Sequence, residues 1–260
     1  MEGEPVEEFK NDTYEIMEVC LLAGKIMLQS GAETYRVEDT MMRIAASFGV
    51  DQSHSYVTPT GIIFSIEGHE PTKTKLIRIS ERGTDLDKVT IVNSISRNIS
   101  SGELTVKEAL QSLREVEAAP MAYSLLLQIL AAAISSGCFL IMFKGSWEDF
   151  LPAVVCGGLG FISFIYFHKW VPIKFFAEFV AAFVIGLASY AFVFSGAGNE
   201  LDKIIIGSVM PLVPGLLITN AVRDLIAGHL VSGLSKGAEA FLTAFAIGSG
   251  IAVVLSFISF

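Results

Sequence analysis

The rhythm of hydrophobic and polar positions changes once along the chain, near Pro120. Before that point apolar residues recur at helical or strand spacing; after it they run together in blocks. From Tyr14 to Gln29, Ile16, Val19, Ala23 and Ile26/Met27 mark one helical face. This apolar core is too short for a membrane span and carries Lys25, and Ser30-Gly31 breaks it. A second helix is predicted from about Glu33 to Phe48, with Val37, Met41, Ile44 and Phe48 in one stripe and Gly49 as its stop. Ser55 to Ile66 collects β-formers around Thr58-Pro59-Thr60-Gly61, and Lys73 to Ser80 alternates as a half-buried strand does. Asp85 can cap a helix carrying Leu86, Val89, Val92, Ser96 and Ile99, which Gly102 ends. Thr105-Val106-Lys107-Glu108 is a capping box that opens a last helix reaching about Glu117. Residues 1–120 therefore read as a small soluble α+β domain.

Residues 121–260 hold five apolar runs, at about 122–143, 150–167, 175–194, 204–222 and 240–260. Each approaches the roughly 20 residues needed to cross a hydrocarbon core, where the backbone must satisfy itself as helix. The expected architecture is a membrane all-α bundle of about five transmembrane helices, preceded by the α+β domain. Small residues at helical spacing, Ala182/Gly186 and Ala244/Gly248/Ala252, suit close helix packing and need no other role.

Charge follows the same division. Residues 1–120 carry 12 Lys/Arg against 20 Asp/Glu, and residues 121–260 carry 6 against 7. A net charge of −9 argues against a nucleic-acid partner, which needs clustered Lys and Arg. Cys20, Cys138 and Cys156 are far apart with no metal-binding spacing, and Cys138 and Cys156 read as small buried hydrophobes. The start, Met-Glu-Gly-Glu-Pro, has no basic segment of the export type, so the soluble domain is expected in the cytoplasm. On that orientation Lys169, Lys174, Arg223 and Lys236 lie inside and Lys144 and Lys203 outside, a small positive-inside bias.

The fourth run is the unusual one. Pro211, Pro214 and Gly215 fall within five residues and must disturb a helix. A broken helix at membrane depth is tolerated where it lines a cavity or is buried in protein; otherwise this is a simple proline kink. Polar Thr219, Asn220, Arg223 and Asp224 follow, with Asn220, Arg223 and Asp224 at helical spacing on one face. Glu178 lies in the inner turn of the third run, at a depth that could match Arg223. Ionisable groups inside a span are costly and point to a transport path, unless they reach the interface by snorkelling. In the soluble domain, Glu33, Arg36 and Glu38 stand in the run Gly31 to Thr40; by spacing alone they are a salt-bridged helix face.

Several of these segments together resemble the threonine/serine exporter family: Ser30 to Met41, Thr58-Pro59-Thr60-Gly61-Ile62, Val92-Asn93 to Arg97, and Pro214-Gly215 with Asn220 to Leu225. The resemblance covers essentially the whole chain and matches that family's N-terminal component. Single-chain members continue into a second membrane domain, so the chain looks like the larger subunit of a split transporter. The resemblance implies a smaller, membrane-embedded partner subunit, a threonine/serine-type amino acid or a dicarboxylate such as succinate as substrate, and residence in the bacterial cytoplasmic membrane. It raises Glu33, Arg36 and Glu38 to gating or coupling candidates, and the Pro211–Gly215 break to a substrate-path candidate.

The leading reading is thus secondary active export of a small polar metabolite, with no enzymatic activity, metal or cofactor. No Gly-x-x-x-x-Gly-Lys-Ser/Thr loop supports ATP as the drive. Arg223 would attract a carboxylate, Asn220 and Thr219 would supply hydrogen bonds, and Glu178 or Asp224 would carry a proton. A membrane-anchored sensor is the alternative. An intramembrane hydrolase built on Ser249 and His229 is weaker still, because the span model puts the two on opposite sides of the bilayer. The small-residue rows leave a higher oligomer open.

Overall fold

The computed structural model describes residues 5–67, 71–120, 123–171, 173 and 175–258. The chain is mostly helical with one small sheet near its start. By internal contacts it divides into two compact units, one of residues 1–122 and 216–237, the other of residues 123–215 and 238–260.

The first unit contains α1 (Pro5–Gln29), α2 (Thr34–Ser47), β1 (Gln52–Thr58), β2 (Gly61–Glu67), β3 (Lys73–Arg78), α3 (Leu86–Ser100) and α4 (Val106–Ala118). It also takes in α9 (Gly215–Ile226) from Leu216 and the opening turns, to Gly237, of α10 (Leu230–Ile258). The strands form an antiparallel sheet in the order β1-β2-β3, and Thr58 pairs with Gly61 across the two-residue turn Pro59-Thr60. Ile62, Phe64 and Ile66 on alternate positions of β2 face the core. They join a cluster that includes Val19, Ala23 and Met27 of α1, Val37, Met41 and Ile44 of α2, Val92 of α3 and Leu113 of α4.

Local rules explain the helix ends. Asp85 accepts a hydrogen bond from Lys88 N at 3.2 Å, and Thr105 with Glu108 forms the capping box. The Ser30-Gly31 break is a Schellman turn: Ala32 N–H reaches Met27 O, Gly31 N–H reaches Leu28 O, and Gly31 has φ +91°. The same pattern ends α9, where His229 N–H reaches Asp224 O and Gly228 has φ +89°.

The second unit contains α5 (Leu125–Met142), a 3₁₀ turn (Trp147–Asp149), α6 (Phe150–Trp170), α7 (Phe176–Phe194), α8 (Leu201–Val209), a second 3₁₀ turn (Met210–Leu212) and the rest of α10. Four helices are long and apolar enough to cross a membrane: Leu125–Met142, Trp147–Trp170, Phe176–Phe194 and Leu230–Phe257. A fifth span results if the bent pair Leu201–Leu212 and Gly215–Ile226 counts as one. The last helix starts at Leu230, ten residues ahead of the apolar run that marks it in the sequence, and its first turns bury Ser232 and Lys236 while leaving Leu230, Val231 and Leu234 exposed. Lys174 and the run ends at Ala122 and Phe260 lie outside the described residues.

Close approach organises this unit. Gly157 of α6 lies so near Ser136 of α5 that a Cβ there would strike the serine side chain. Gly186 of α7 faces Val254 of α10. On α10, however, the tight contact is at Gly250, against Phe179 O, and not at Gly248, where an added Cβ would meet nothing within 4 Å. Asp149, fully buried, accepts hydrogen bonds from Asn199 N at 2.7 Å and Glu200 N at 3.1 Å, just ahead of α8. Cys156 is buried as expected, but Cys138 is exposed, on the outward side of α5.

Replacing Gly157 by Ala forces this contact apart and should cost about 1–3 kcal/mol, the usual penalty of overpacking. A fall in the thermal unfolding midpoint of the purified chain in detergent measures it.

Candidate functional site

The sequence-predicted break is present. α8 ends at Val209, Pro211 sits in the 3₁₀ turn, Val213 is extended (φ −64°, ψ 128°), and α9 starts at Gly215, directly after Pro214. The boundary between the two units falls at this point, between Gly215 and Leu216. Glu178 stands in the first turn of α7, half-buried, in the second unit.

The polar residues after the break are gathered on the turn between α1 and α2. Asn220, Arg223 and Asp224 project from one face of α9, as their spacing predicts. Asn220 Nδ2 donates to Gly31 O at 2.8 Å. Asp224 is wholly buried, and its Oδ1 accepts from Thr34 N at 2.9 Å. Thr34 is the first residue of α2, and Glu33, at the N-cap position, makes no side-chain cap of its own. A carboxylate from a residue 190 positions away thus satisfies an orphan N–H at the positive end of the helix.

The second Asp224 oxygen pairs with Lys236. Lys236 Nζ lies 2.8 Å from Asp224 Oδ2, with side-chain exposures of 4% and 0%. The ammonium also donates to Thr34 Oγ1 at 3.1 Å, and the Thr34 and Ser232 hydroxyls are 2.7 Å apart. Ser232 and Lys236 are four residues apart on α10, so one helical face meets Asp224 and Thr34 together. Sequence reasoning did not place Thr34, Ser232 or Lys236 in the site. It used Lys236 as a basic marker of membrane orientation, whereas the side chain is buried in this ion pair. A serine and a lysine at i, i+4 just ahead of a long apolar run were the available signal.

Above this buried layer lies a more exposed one. Arg223 Nη1 is 2.5 Å from Glu33 Oε1, and Arg36 Nη1 is 3.3 Å from Glu33 Oε2. Side-chain exposure is 7% for Glu33, 43% for Arg36 and 56% for Arg223. Burial pushes the Glu33 carboxyl up, but a backbone N–H, the Arg223 hydrogen bond and the charges of Arg36 and Arg223 outweigh it, so its pKa lies below the ordinary value. Glu38 accepts from Val57 N at 2.8 Å and lies 3.7 Å from His229 Nδ1. Burial pushes its carboxyl up, Val57 N–H and His229 pull it down, and the Asp224 charge adds to the rise; the net shift is upward. Thr219 is an exposed residue of α9. Among the described residues no group of three or more His, Cys, Asp or Glu could hold a metal ion.

In chemical terms, Asn220, Asp224 and Lys236 are engaged by the fold, while Arg223 and Arg36 retain donor edges toward solvent. The arrangement suits recognition of an anionic group.

Comparison with known proteins gives a consistent result. The family model "Putative threonine/serine exporter" (ThrE) matches residues 18–258. A "Probable succinate transporter subunit YjjP" of Klebsiella aerogenes is 26% identical over 252 residues, covering 95% of this chain and 95% of its own length. Its namesake in Escherichia coli is 25% identical over 246 residues, covering 93% and 94%. A "Probable threonine/serine exporter" of Mycobacterium tuberculosis is 23% identical over 238 residues, covering 89% of this chain but 44% of its own length. No solved structure gives a significant match.

Asp224→Ala leaves the buried Lys236 ammonium unpaired and uncaps α2, so it should destabilise the first unit by about 3–5 kcal/mol. Asp224→Asn keeps an acceptor for Thr34 N–H and should cost less; chemical unfolding of the full chain in detergent compares the two. Glu38 has a pH signature. Between the ordinary carboxyl value of 4.5 and its raised value, the folded chain holds a proton that the unfolded chain has lost. Its contribution therefore falls as pH rises through that window. Glu33, with a lowered pKa, acts in the opposite sense at lower pH, its contribution being lost as pH falls. In a stability–pH profile, Glu38→Gln should remove the decline that sets in as pH rises above the ordinary carboxyl value and leave the loss at lower pH.

Proposed function

From membership of the threonine/serine exporter family, to which this chain belongs, we propose that it is the larger subunit of a secondary active transporter that exports small carboxylate-bearing metabolites. The substrates are threonine/serine-type amino acids or dicarboxylates such as succinate, the two kinds that the relatives' names give. The observation that carries the reading is the half-exposed Arg223 guanidinium. It stands beside the buried Asn220 and Asp224, on the helix that starts right after the break at Pro211, Pro214 and Gly215. Both substrate kinds present a carboxylate, and a guanidinium is the side chain best suited to one.

The same reading gives the remaining residues their parts. Asn220 and Asp224 position Arg223 by anchoring α9 to the α1–α2 turn. The break and Thr219 border the path, and Glu178 and Glu38 are the candidate proton carriers, with an ion or proton gradient as the drive. A smaller membrane-embedded subunit completes the carrier, consistent with the word "subunit" in the name of the relatives that match along nearly their whole length. The protein resides in the bacterial cytoplasmic membrane with the α+β unit in the cytoplasm.

The test uses a deletion strain of the native host, which supplies any partner, complemented with wild-type or Arg223→Ala chain and preloaded with labelled threonine, serine or succinate. Wild type should restore efflux of one of these solutes. Arg223→Ala should reduce it about tenfold or more, the scale of one charge-assisted hydrogen bond, at equal membrane levels. Undiminished efflux from the variant removes the assignment of Arg223; altered gene expression without altered efflux favours a sensor instead.

A further inference from the structure

We infer that Arg36 and Arg223 together form a carboxylate-binding clamp, and that Glu33 is a resident carboxylate occupying it, which tunes the clamp toward zwitterions and against dianions. The inference rests on the transport reading and adds Arg36 and Glu33 to the site as specificity-determining residues.

Three observations support it. Each oxygen of one carboxylate holds one guanidinium, Oε1 with Arg223 and Oε2 with Arg36, so the spacing of the two arginines already accommodates a carboxylate. Among the described residues, Glu33 is the only side chain that hydrogen-bonds or ion-pairs with either guanidinium. A guanidinium has five N–H donors, so donor edges of both remain available at exposures of 43% and 56%. Thirdly, the triad holds two positive charges against one negative, while the adjacent Asp224 is matched by Lys236. The cluster therefore carries a positive excess on its open side, and its buried side is balanced.

Glu33 cannot drift away to make room, because its residue is 5% exposed and sits at the entry to α2. An incoming carboxylate must share the two guanidinium groups with it. An amino acid brings an ammonium group as well, which the Glu33 carboxylate attracts. A dicarboxylate brings a second negative charge, which Glu33 repels. The residue therefore weakens binding of both classes through the shared arginines and returns part of that loss only to the zwitterion.

The experiment is equilibrium binding of labelled L-threonine and labelled succinate to the purified full chain in detergent, at fixed ionic strength. Glu33→Gln removes the competing charge and keeps the size. Succinate should bind about tenfold tighter relative to threonine than in wild type, the scale of one charge-assisted hydrogen bond. Arg36→Gln should weaken both. Unchanged relative affinity in a Glu33→Gln chain with a wild-type melting profile overturns the inference, as does unaltered binding in Arg36→Gln. Should Glu33→Gln not fold, Arg36→Gln decides alone, since among the described residues the half-exposed Arg36 side chain hydrogen-bonds to Glu33 alone. Binding of neither solute by any form also overturns the clamp, while the efflux measurement above independently decides whether the chain transports these solutes at all.

Discussion

A carboxylate with no exposure to water has to be compensated, and Asp224 meets that requirement with groups from two other helices, one on each oxygen. Thr34 N–H brings the positive end of α2, and Lys236 brings a full charge. Desolvating two such ions costs several kcal/mol each, so the pair by itself adds little net stability. Its consequence is geometric. Neither ion can be left alone in the interior, so α9 and the first turns of α10 are committed to the α1–α2 turn. Asn220 reinforces this by donating to Gly31 O, an acceptor that the Schellman turn presents because Gly31 adopts a left-handed conformation.

This explains which features were legible in the sequence. Helix stops at Gly49 and Gly102, the cap at Asp85 and the Thr105–Glu108 box all depend on residues within a few positions of one another. The β-formers of Ser55 to Ile66 read as strand, but the structure divides them, with Pro59-Thr60 as the turn between β1 and β2. Periodicity located the helices of residues 1–120 and the long apolar helices of the second unit, but not the passage of α9 and the start of α10 into the first unit. The charges were harder. Spacing placed Asn220, Arg223 and Asp224 on one helical face, which is correct, but spacing carries no information about what that face meets. An isolated Asp224 in an apolar context invites a reading as proton carrier, and an isolated Lys236 invites a reading as topology marker. Each is in fact the other's counter-ion, twelve positions apart through the Gly228 turn.

Two of the segments that carry the family resemblance, Ser30 to Met41 and Asn220 to Leu225, are far apart in the sequence. In the structure these two are one cluster: Gly31, Glu33 and Thr34 from the first meet Asn220, Arg223 and Asp224 from the second. The two segments meet because Asp224 on α9 caps the N-terminus of α2, whose N-cap residue Glu33 makes no side-chain cap of its own.

The proline break belongs to the same logic. Pro211 removes a backbone donor, Val213 turns extended, and α9 restarts at Gly215, so the regular helix is interrupted where the chain passes from one unit to the other. Within the first unit Asn220 and Asp224 are taken up by the α1–α2 turn, while Arg223, three residues along from Asn220, keeps half its surface open. The division of labour among these neighbours follows from helical geometry: residues i and i+4 are spent on anchoring, and the residue between them is left with charge to offer a ligand.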